Sequence, residues 1–388
     1  MHCAMNKFFI AAAGAGKTTL IVRNAIKENN KKAIIITYTI DSAAEIRKKF
    51  YAELGYIPKN VTVQTWFSFL LEHGVKPYQS YLTDKRINGM LLVNCQSGIK
   101  FRNGNKVFFY SEGDVDHHYF DPNYKIYSDK ISKFVYKINT KSCGAIISRL
   151  ENIFNSVYID EVQDLSGYDL EFLKLLLKSS ISVTLAGDPR QTIYHTHNER
   201  MNAKYKYGGI VDYIKKQCNK DIIIDDKTLC NSYRCNNDIC QLSNQLFPNM
   251  KPSYSVADYI RDEHDGIFFV KEEYLDYYLS VYDPIQLRDT KSTKVNDNYR
   301  TFNFGHSKGL TFERVLIYPT SDMKKWLTNR QQNLNDKTRC KLYVALTRAI
   351  RSVAFVIKNG DNIVASDLKS YIPQSLSLES PFFEGDEQ

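Results

Sequence analysis

The stretch AAAGAGKTTL, residues 11–20, decides how this chain is read. It follows the apolar run Phe8-Phe9-Ile10 and precedes TTLIVRNAIKE, a helical pattern over 18–28. A strand, a glycine-rich turn and a helix start, in that order, make a phosphate loop. Gly14 and Gly16 let the backbone turn tightly, so that the N–H groups of Ala13, Gly14, Ala15 and Gly16 can face an anion. The helix start behind them adds free donors and a favourable dipole. In this reading Lys17 reaches the outer phosphates, Thr18 ligates Mg²⁺ and Thr19 completes the cradle. The strict pattern asks for glycine at position 11, where this chain has alanine, so a plain helix start that contains a lysine competes with it.

Two further stretches weigh against that competitor. VYIDEVQD (157–164) is an apolar strand that ends on two adjacent carboxylates. Asp160 is placed to hold the metal shell, and Glu161 to act as the base that orients an attacking water. A lone Asp-Glu pair is usually a solvated turn; behind a buried strand, in a chain that already carries GAGKT, it reads as the partner of the phosphate loop. VTLAGDPRQTIY (183–194) is another strand with polar residues at its end, where Gln191 is placed to sense a terminal phosphate. Together these predict binding and hydrolysis of ATP with Mg²⁺.

Outward from these motifs, short apolar runs alternate with helical periodicity: 7–12, 33–38, 61–65, 157–159, 183–186, 315–318 and 353–357. Several are apolar throughout, as expected of strands buried on both faces of a parallel sheet. The predicted class is α/β. Residues 74–140 break the rhythm, with RNGNKVFFYSEG (102–113) reading as a hairpin, and residues 245–300 read as irregular. The 388 residues carry 52 Lys+Arg against 43 Asp+Glu, a formal charge of +9, which leans modestly toward a polyanionic partner. No apolar window is long enough for a membrane span, and the N-terminus lacks a secretory pattern, so a cytoplasmic protein is expected. The eight cysteines include no Cys-x-x-Cys pair and read as reduced thiols.

In this order the motifs resemble those of the UvrD/Rep/PcrA-like superfamily 1 helicases, in which alanine at the position of Ala11 is usual. TYTIDSAAEIRKKF (37–50) and VQTWFSFLL (63–71) are similar to the family's first two DNA-contacting segments. NSYRCNNDICQLSN (231–244), HSKGLTFERVLIYP (306–319) and KLYVALTRAIRS (341–352) resemble its NYRS, SKGLEF and YVALTRA motifs. The resemblance implies two RecA-like P-loop domains with parallel sheets and a small insertion in the first. The first, ATP-binding domain (1A) would span 1–73 and 141–208, and the insertion, equivalent to 1B, 74–140. The second domain (2A) would span 209–375, with a short insertion at 245–300 where larger relatives carry a helical domain (2B). A flexible acidic tail would follow at 376–388.

The same resemblance implies roles. Arg234 and Arg348 would clamp the terminal phosphate as arginine fingers, Tyr233 would stack on the adenine, and Gly309 would belong to the nucleotide site. Thr39, Thr65 and Lys308 would hold the backbone of single-stranded DNA, Trp66 and Tyr194 would stack on its bases, and His197 would lie beside them. The implied activity is a helicase or translocase moving 3′→5′ on single-stranded DNA. The alternative is a DNA-stimulated ATPase that serves as sensor or regulatory subunit of a nuclease-containing, antiviral complex. The chain departs from the family pattern at Thr196 and His197, where a base-pinning aromatic and arginine are usual, and at Thr311 in place of an acidic ribose contact. The early position of Lys17 leaves no room for the family's adenine-reading glutamine.

Overall fold

The computed structural model describes residues 6–28, 31–193, 201–260, 262–358 and 368–373. The chain divides into two compact units, Met1–Ala12 with Gly16–Cys230, and Ala13–Ala15 with Asn231–Gln388. The first is built on a sheet whose strands are β1 (Lys7–Ile10), β2 (Ala33–Thr37), β3 (Val61–Thr65), β6 (Ser156–Ile159), β7 (Ser182–Gly187) and β8 (Ile223–Asp225). A hairpin of β4 (Ile99–Asn103) and β5 (Lys106–Phe109) stands apart from it. The sheet order is β8-β1-β7-β6-β2-β3, parallel throughout. Central β2 reads AIIIT and is buried at every position. Burying each such isoleucine is worth about 1.5–3 kcal/mol, which fixes this run inside the sheet rather than at its edge.

Helices return the chain between strands. α1 (Lys17–Lys27) starts from Gly16 in the left-handed conformation. α2 (Ile40–Leu54) is capped by Thr39, whose Oγ1 accepts from the Ser42 N–H at 3.0 Å, and ends on Gly55 at φ 79°. α3 (Ile131–Lys141) and α4 (Tyr168–Leu177) pack on each other, burying Phe134, Val135, Ile138, Leu170 and Leu173 in one core with the sheet.

Residues 74–140 belong to the first unit, where Tyr119, Phe120, Ile126 and Ile131 share the core of β2 and β6. Residues 209–230, expected in the second domain, belong to the first unit. β8 pairs with β1, and α5 (Ile210–Gln217) sends Tyr213 into the first core, where its hydroxyl donates to the Leu170 carbonyl at 2.9 Å.

The second unit carries β9 (Gly266–Lys271), β10 (Ile285–Arg288), β11 (Thr301–Asn303), β12 (Phe312–Ile317), β13 (Ala349–Ile357) and β14 (Lys369–Ser370) in the order β11-β10-β12-β13-β9-β14, again all parallel. Residues 245–300, read from the sequence as an irregular insertion, supply β9 and β10 of this sheet. The run GIFFVK is buried over its first five positions, a strand signal that the surrounding polar residues obscured. Both units are thus parallel α/β layers, the fold class expected.

Candidate functional site

The sheet order of the first unit sets β1, β7 and β6 side by side, so the loops at their C-terminal ends meet. After β1 the chain turns through Gly14 at φ 72° and Gly16 at φ 83°, values that a side chain would strain. Lys17 follows at the first position of α1 and is buried; its Nζ lies 3.4 Å from Glu161 Oε1. Thr18 Oγ1 donates to Asp160 Oδ2 at 3.0 Å. Asp160 ends β6 almost fully buried, its Oδ1 accepting from the Glu161 N–H at 2.9 Å. Burial, and after it the neighbouring Glu161 carboxylate, push the Asp160 carboxyl above its ordinary range, against the pull of Lys17 and Thr18. Glu161 sits at φ 55°, a conformation a non-glycine residue rarely holds unless its surroundings fix it.

What fixes it is a network around three polar residues to which no role fell in the motifs: Gln163, Asp188 and Arg190. Gln163 Nε2 donates to Glu161 Oε2, and its Oε1 accepts from the Asp188 N–H at 3.1 Å. Asp188, after β7, is fully buried; Oδ1 accepts from Arg190 Nε at 2.8 Å and Oδ2 from Gln191 Nε2 at 2.9 Å. Arg190 Nη2 donates in turn to the Ala11 carbonyl at 2.8 Å, closing the chain of bonds onto the phosphate loop. All three residues stand inside the DEVQD and GDPRQ stretches, so their presence was legible; their linkage needed the strand order. Gln191, expected at a phosphate, is held by Asp188 with its side chain buried.

Lys17 pairs with Glu161 and Arg190 with Asp188 at these strand ends, while burial first and the Glu161 carboxylate second hold the Asp160 pKa up. A divalent cation beside Thr18 and Asp160 would offset the negative charge there. The residues present therefore fit a magnesium–nucleoside triphosphate. Thr19, in the first turn of α1, accepts from Lys49 Nζ at 3.2 Å.

The other expected residues are scattered. Thr39 and Thr65 cap helices, each accepting from an N–H three residues on, with Thr39 exposed and Thr65 half-buried. Trp66 is corrected: it is 1% exposed, its Nε1 donates to Asp169 Oδ1 at 2.6 Å, and it packs on Phe69 and Phe172. A ring so enclosed has no face to offer a base. Tyr194 and His197 lie outside the described residues. In the second unit Tyr233 is 70% exposed, and Gly309 turns at φ 86° beside half-buried Lys308. Arg234 Nη1 donates to the Thr347 carbonyl at 3.2 Å. Arg348 is buried, donating from Nε to the Val344 carbonyl at 3.0 Å and from Nη1 to that of Leu310 at 3.1 Å.

Residues 78–200 match the family described as UvrD/REP helicase N-terminal domain. A curated protein, the "Probable DNA helicase II homolog" of Mycoplasma capricolum subsp. capricolum (strain California kid), is 27% identical over 123 residues, 32% of this chain and 16% of that protein. Among solved structures, the Arterivirus nonstructural protein 10 (helicase) aligns over 92% of this chain and 60% of its own, at 12% identity and a TM-score of 0.47. Its complex with DNA aligns at 13% identity and 0.46, covering 92% and 61%; the PRRSV helicase aligns at 15% and 0.43, covering 92% and 53%. The chain thus spans less than two thirds of each of these proteins.

Proposed function

Starting from a chain related to the UvrD/REP helicases through residues 78–200, we propose that it is a nucleic-acid-dependent ATPase that uses hydrolysis to move along single-stranded DNA in the 3′→5′ direction. The observation that supports this best is the convergence of Lys17, Thr18, Asp160 and Glu161 on one end of one sheet, cross-linked through Gln163 and Asp188. Magnesium–ATP supplies the phosphoryl group and its activating charge. Lys17 holds the outer phosphates, Thr18 and Asp160 hold the metal, and Glu161 orients and deprotonates the attacking water. Gln163 keeps Glu161 in its left-handed conformation and aims its carboxylate. Gln191, fastened to Asp188, is the group through which a change at the phosphate reaches the loop after β7. Arg234 and Arg348 are proposed as the cations that offset charge in the transition state, a role for which Arg348 has to exchange a carbonyl partner for phosphate.

The test is the ATPase rate with and without single-stranded DNA over a salt series. Stimulation that weakens steeply with salt is expected, because phosphate contacts release counterions. A rate indifferent to DNA sinks the motor reading. The enclosed Trp66 removes one expected stacking platform and so favours, as a second reading, an ATPase stimulated by DNA that acts for a partner such as a nuclease without unwinding. Strand displacement on a tailed duplex separates the two.

A further inference from the structure

The hairpin of β4 and β5 in the first unit has a fixed base and a bare tip. At the base Ser97 is buried, its N–H and its Oγ both donating to Asp129, at 2.9 and 2.5 Å. The Tyr110 N–H donates to the Gly98 carbonyl at 2.8 Å, and Glu112 just beyond holds Lys133 at 2.5 Å and Lys137 at 3.1 Å. From there the two strands run antiparallel to a two-residue turn, where Gly104 takes φ 56°. Every residue from Lys100 to Lys106 is exposed.

Two aromatic rings sit on this tip. Phe101 and Phe108 stand opposite each other in the register and stack with centroids 4.5 Å apart, 15° from parallel. They are 50% and 42% exposed, and neither joins the buried core of the unit. A cross-strand aromatic pair stabilises a hairpin, but the stack covers only one face of each ring. Covering another face with a further flat ring is favourable. Side chains alternate along a strand, so Asn103 and Lys106 share the face of the two rings, whereas Arg102 and Val107 lie on the other.

Charge narrows the choice of partner. From Ile99 to Ser111 the chain carries Lys100, Arg102 and Lys106 and no carboxylate. Among the described residues no carboxylate pairs with any of the three. A second copy of the hairpin would cover the rings but set three cations against three. A duplex offers phosphates, but its bases are already stacked on one another. An unpaired strand offers both flat rings and the phosphates between them.

We propose that the hairpin is a docking site for an unpaired DNA strand, a base stacking on the outer face of Phe101 or Phe108 and Lys106, on the same face, meeting a neighbouring phosphate. The site rests on the nucleic-acid reading above and deepens it. The stacking platform that enclosed Trp66 does not provide lies on the hairpin, which shares no residue with the network around Lys17 and Glu161.

The experiment measures fluorescence anisotropy of a labelled deoxythymidine dodecamer, and of a blunt duplex of equal length, with the full chain in the absence of nucleotide over a salt series. The dodecamer should bind more tightly than the duplex. Phe101→Ala combined with Phe108→Ala should weaken the dodecamer by about tenfold or more and leave the salt slope unchanged, because stacking releases no counterions. Phe101→Trp should hold the strand at least as well as the parent. Lys106→Gln should lower the salt slope by about 0.7, and Arg102→Gln, on the other face, should cost less affinity. ATPase rates without DNA should match the parent in all of these variants, while the DNA concentration for half-stimulation rises with the loss of affinity. Unchanged dodecamer affinity in the double alanine variant overturns the site, as does a duplex that loses as much as the strand. Should alanine unfold the hairpin, Phe101→Leu with Phe108→Leu keeps apolar packing without a ring, and full affinity there overturns the site too. On the parent, a strand carrying 5-iododeoxyuridine should photocross-link to the peptide that holds Phe101 or Phe108; cross-links confined to other peptides overturn it. A parent that binds neither nucleic acid sinks the nucleic-acid reading and this site with it, whereas a parent that binds the strand as tightly as its ring variants do sinks the hairpin site alone.

Discussion

At the strand ends of the first sheet the buried charges are carboxylates, and they hold side chains: Asp160 takes Thr18, Glu161 takes Gln163 and Lys17, Asp188 takes Arg190 and Gln191. In the second unit buried Arg348 holds main-chain oxygens, the carbonyls of Val344 and Leu310, while half-buried Arg314 reaches the His264 carbonyl at 2.6 Å and pairs with the Asp262 carboxylate. The two sheets have the same parallel construction, so the difference lies in what their polar residues are for. Carboxylates crowded together raise one another's pKa and destabilise the fold locally, a burden kept where a cation or a reaction uses it. Arginine forks on carbonyls satisfy groups that would otherwise be orphaned, and stabilise.

The largest expected effect tests the first half of this contrast. Glu161→Gln should lower ATP turnover by about 10²–10⁴-fold, the usual worth of a positioned base. Its melting temperature should not fall, since Glu161 is the second cause of the raised pKa of Asp160, and its charge is then gone. A clear loss of stability, with turnover intact, would make the carboxylate cluster structural and break the contrast. Lys17→Ala should abolish turnover too, but it removes the cation that opposes the rise at Asp160, so stability should drop slightly rather than gain.

Next in size comes the mirror experiment in the second unit. Arg348→Ala strips the Val344 and Leu310 carbonyls of a donor and leaves a cavity, which should cost about 2–4 kcal/mol in denaturant unfolding. Arg348→Lys should recover only part, because one ammonium cannot span both oxygens as the guanidinium fork does. An Arg348→Ala protein of native stability would mean that the two carbonyls do not depend on this arginine, leaving the transition-state role as its only one.

A smaller effect is expected at Trp66. Trp66→Phe removes the donor to Asp169 Oδ1, whose carboxylate keeps Ser132 Oγ and the Ser166 N–H. A loss of about 1–2 kcal/mol is expected, with affinity for single-stranded DNA unchanged within error in a fluorescence titration. A stable variant that loses DNA affinity would restore the ring as a stacking surface.

These residues also mark how far the sequence could be read. All seven apolar runs named from it are strands, and Lys17, Thr18, Asp160 and Glu161 meet, because periodicity and glycine turns are local signals. The position of GIFFVK in a sheet was missed, since its neighbours carry polar, irregular sequence and only non-local pairing with β13 makes it a central strand. Trp66 was misjudged for a related reason. Its motif places it after a strand end, but Asp169, a hundred residues on, decides which way the indole turns. The Glu161–Gln163–Asp188–Gln191 chain spans two strands whose adjacency no stretch of sequence states.

The smallest effect concerns a buried charge that the second unit avoids. His264 lies between Phe268 and Tyr282, ring centroids 4.0 and 3.8 Å away, and its Nε2 meets the Tyr278 hydroxyl at 2.9 Å. Burial, then the Arg314 guanidinium, lower its pKa from 6.5 to about 4. The unfolded chain therefore takes up a proton below about pH 6.5 that the folded chain refuses until about pH 4. Stability from this residue is complete above the upper value and is lost as pH falls through the window between them. From pH 7 to pH 5 the loss attributable to His264 should be about 2 kcal/mol or less. Other groups titrate in the same range, so the measurement is a difference: urea unfolding of the parent and of His264→Phe at both pH values. The variant should be less stable at pH 7, where the Tyr278 hydroxyl has lost its histidine partner and keeps Ser352, yet should lose less on acidification. Equal losses in the two proteins would mean that the stacked imidazole accepts its proton in the folded state, and that the second unit tolerates a buried titrating charge as the first does.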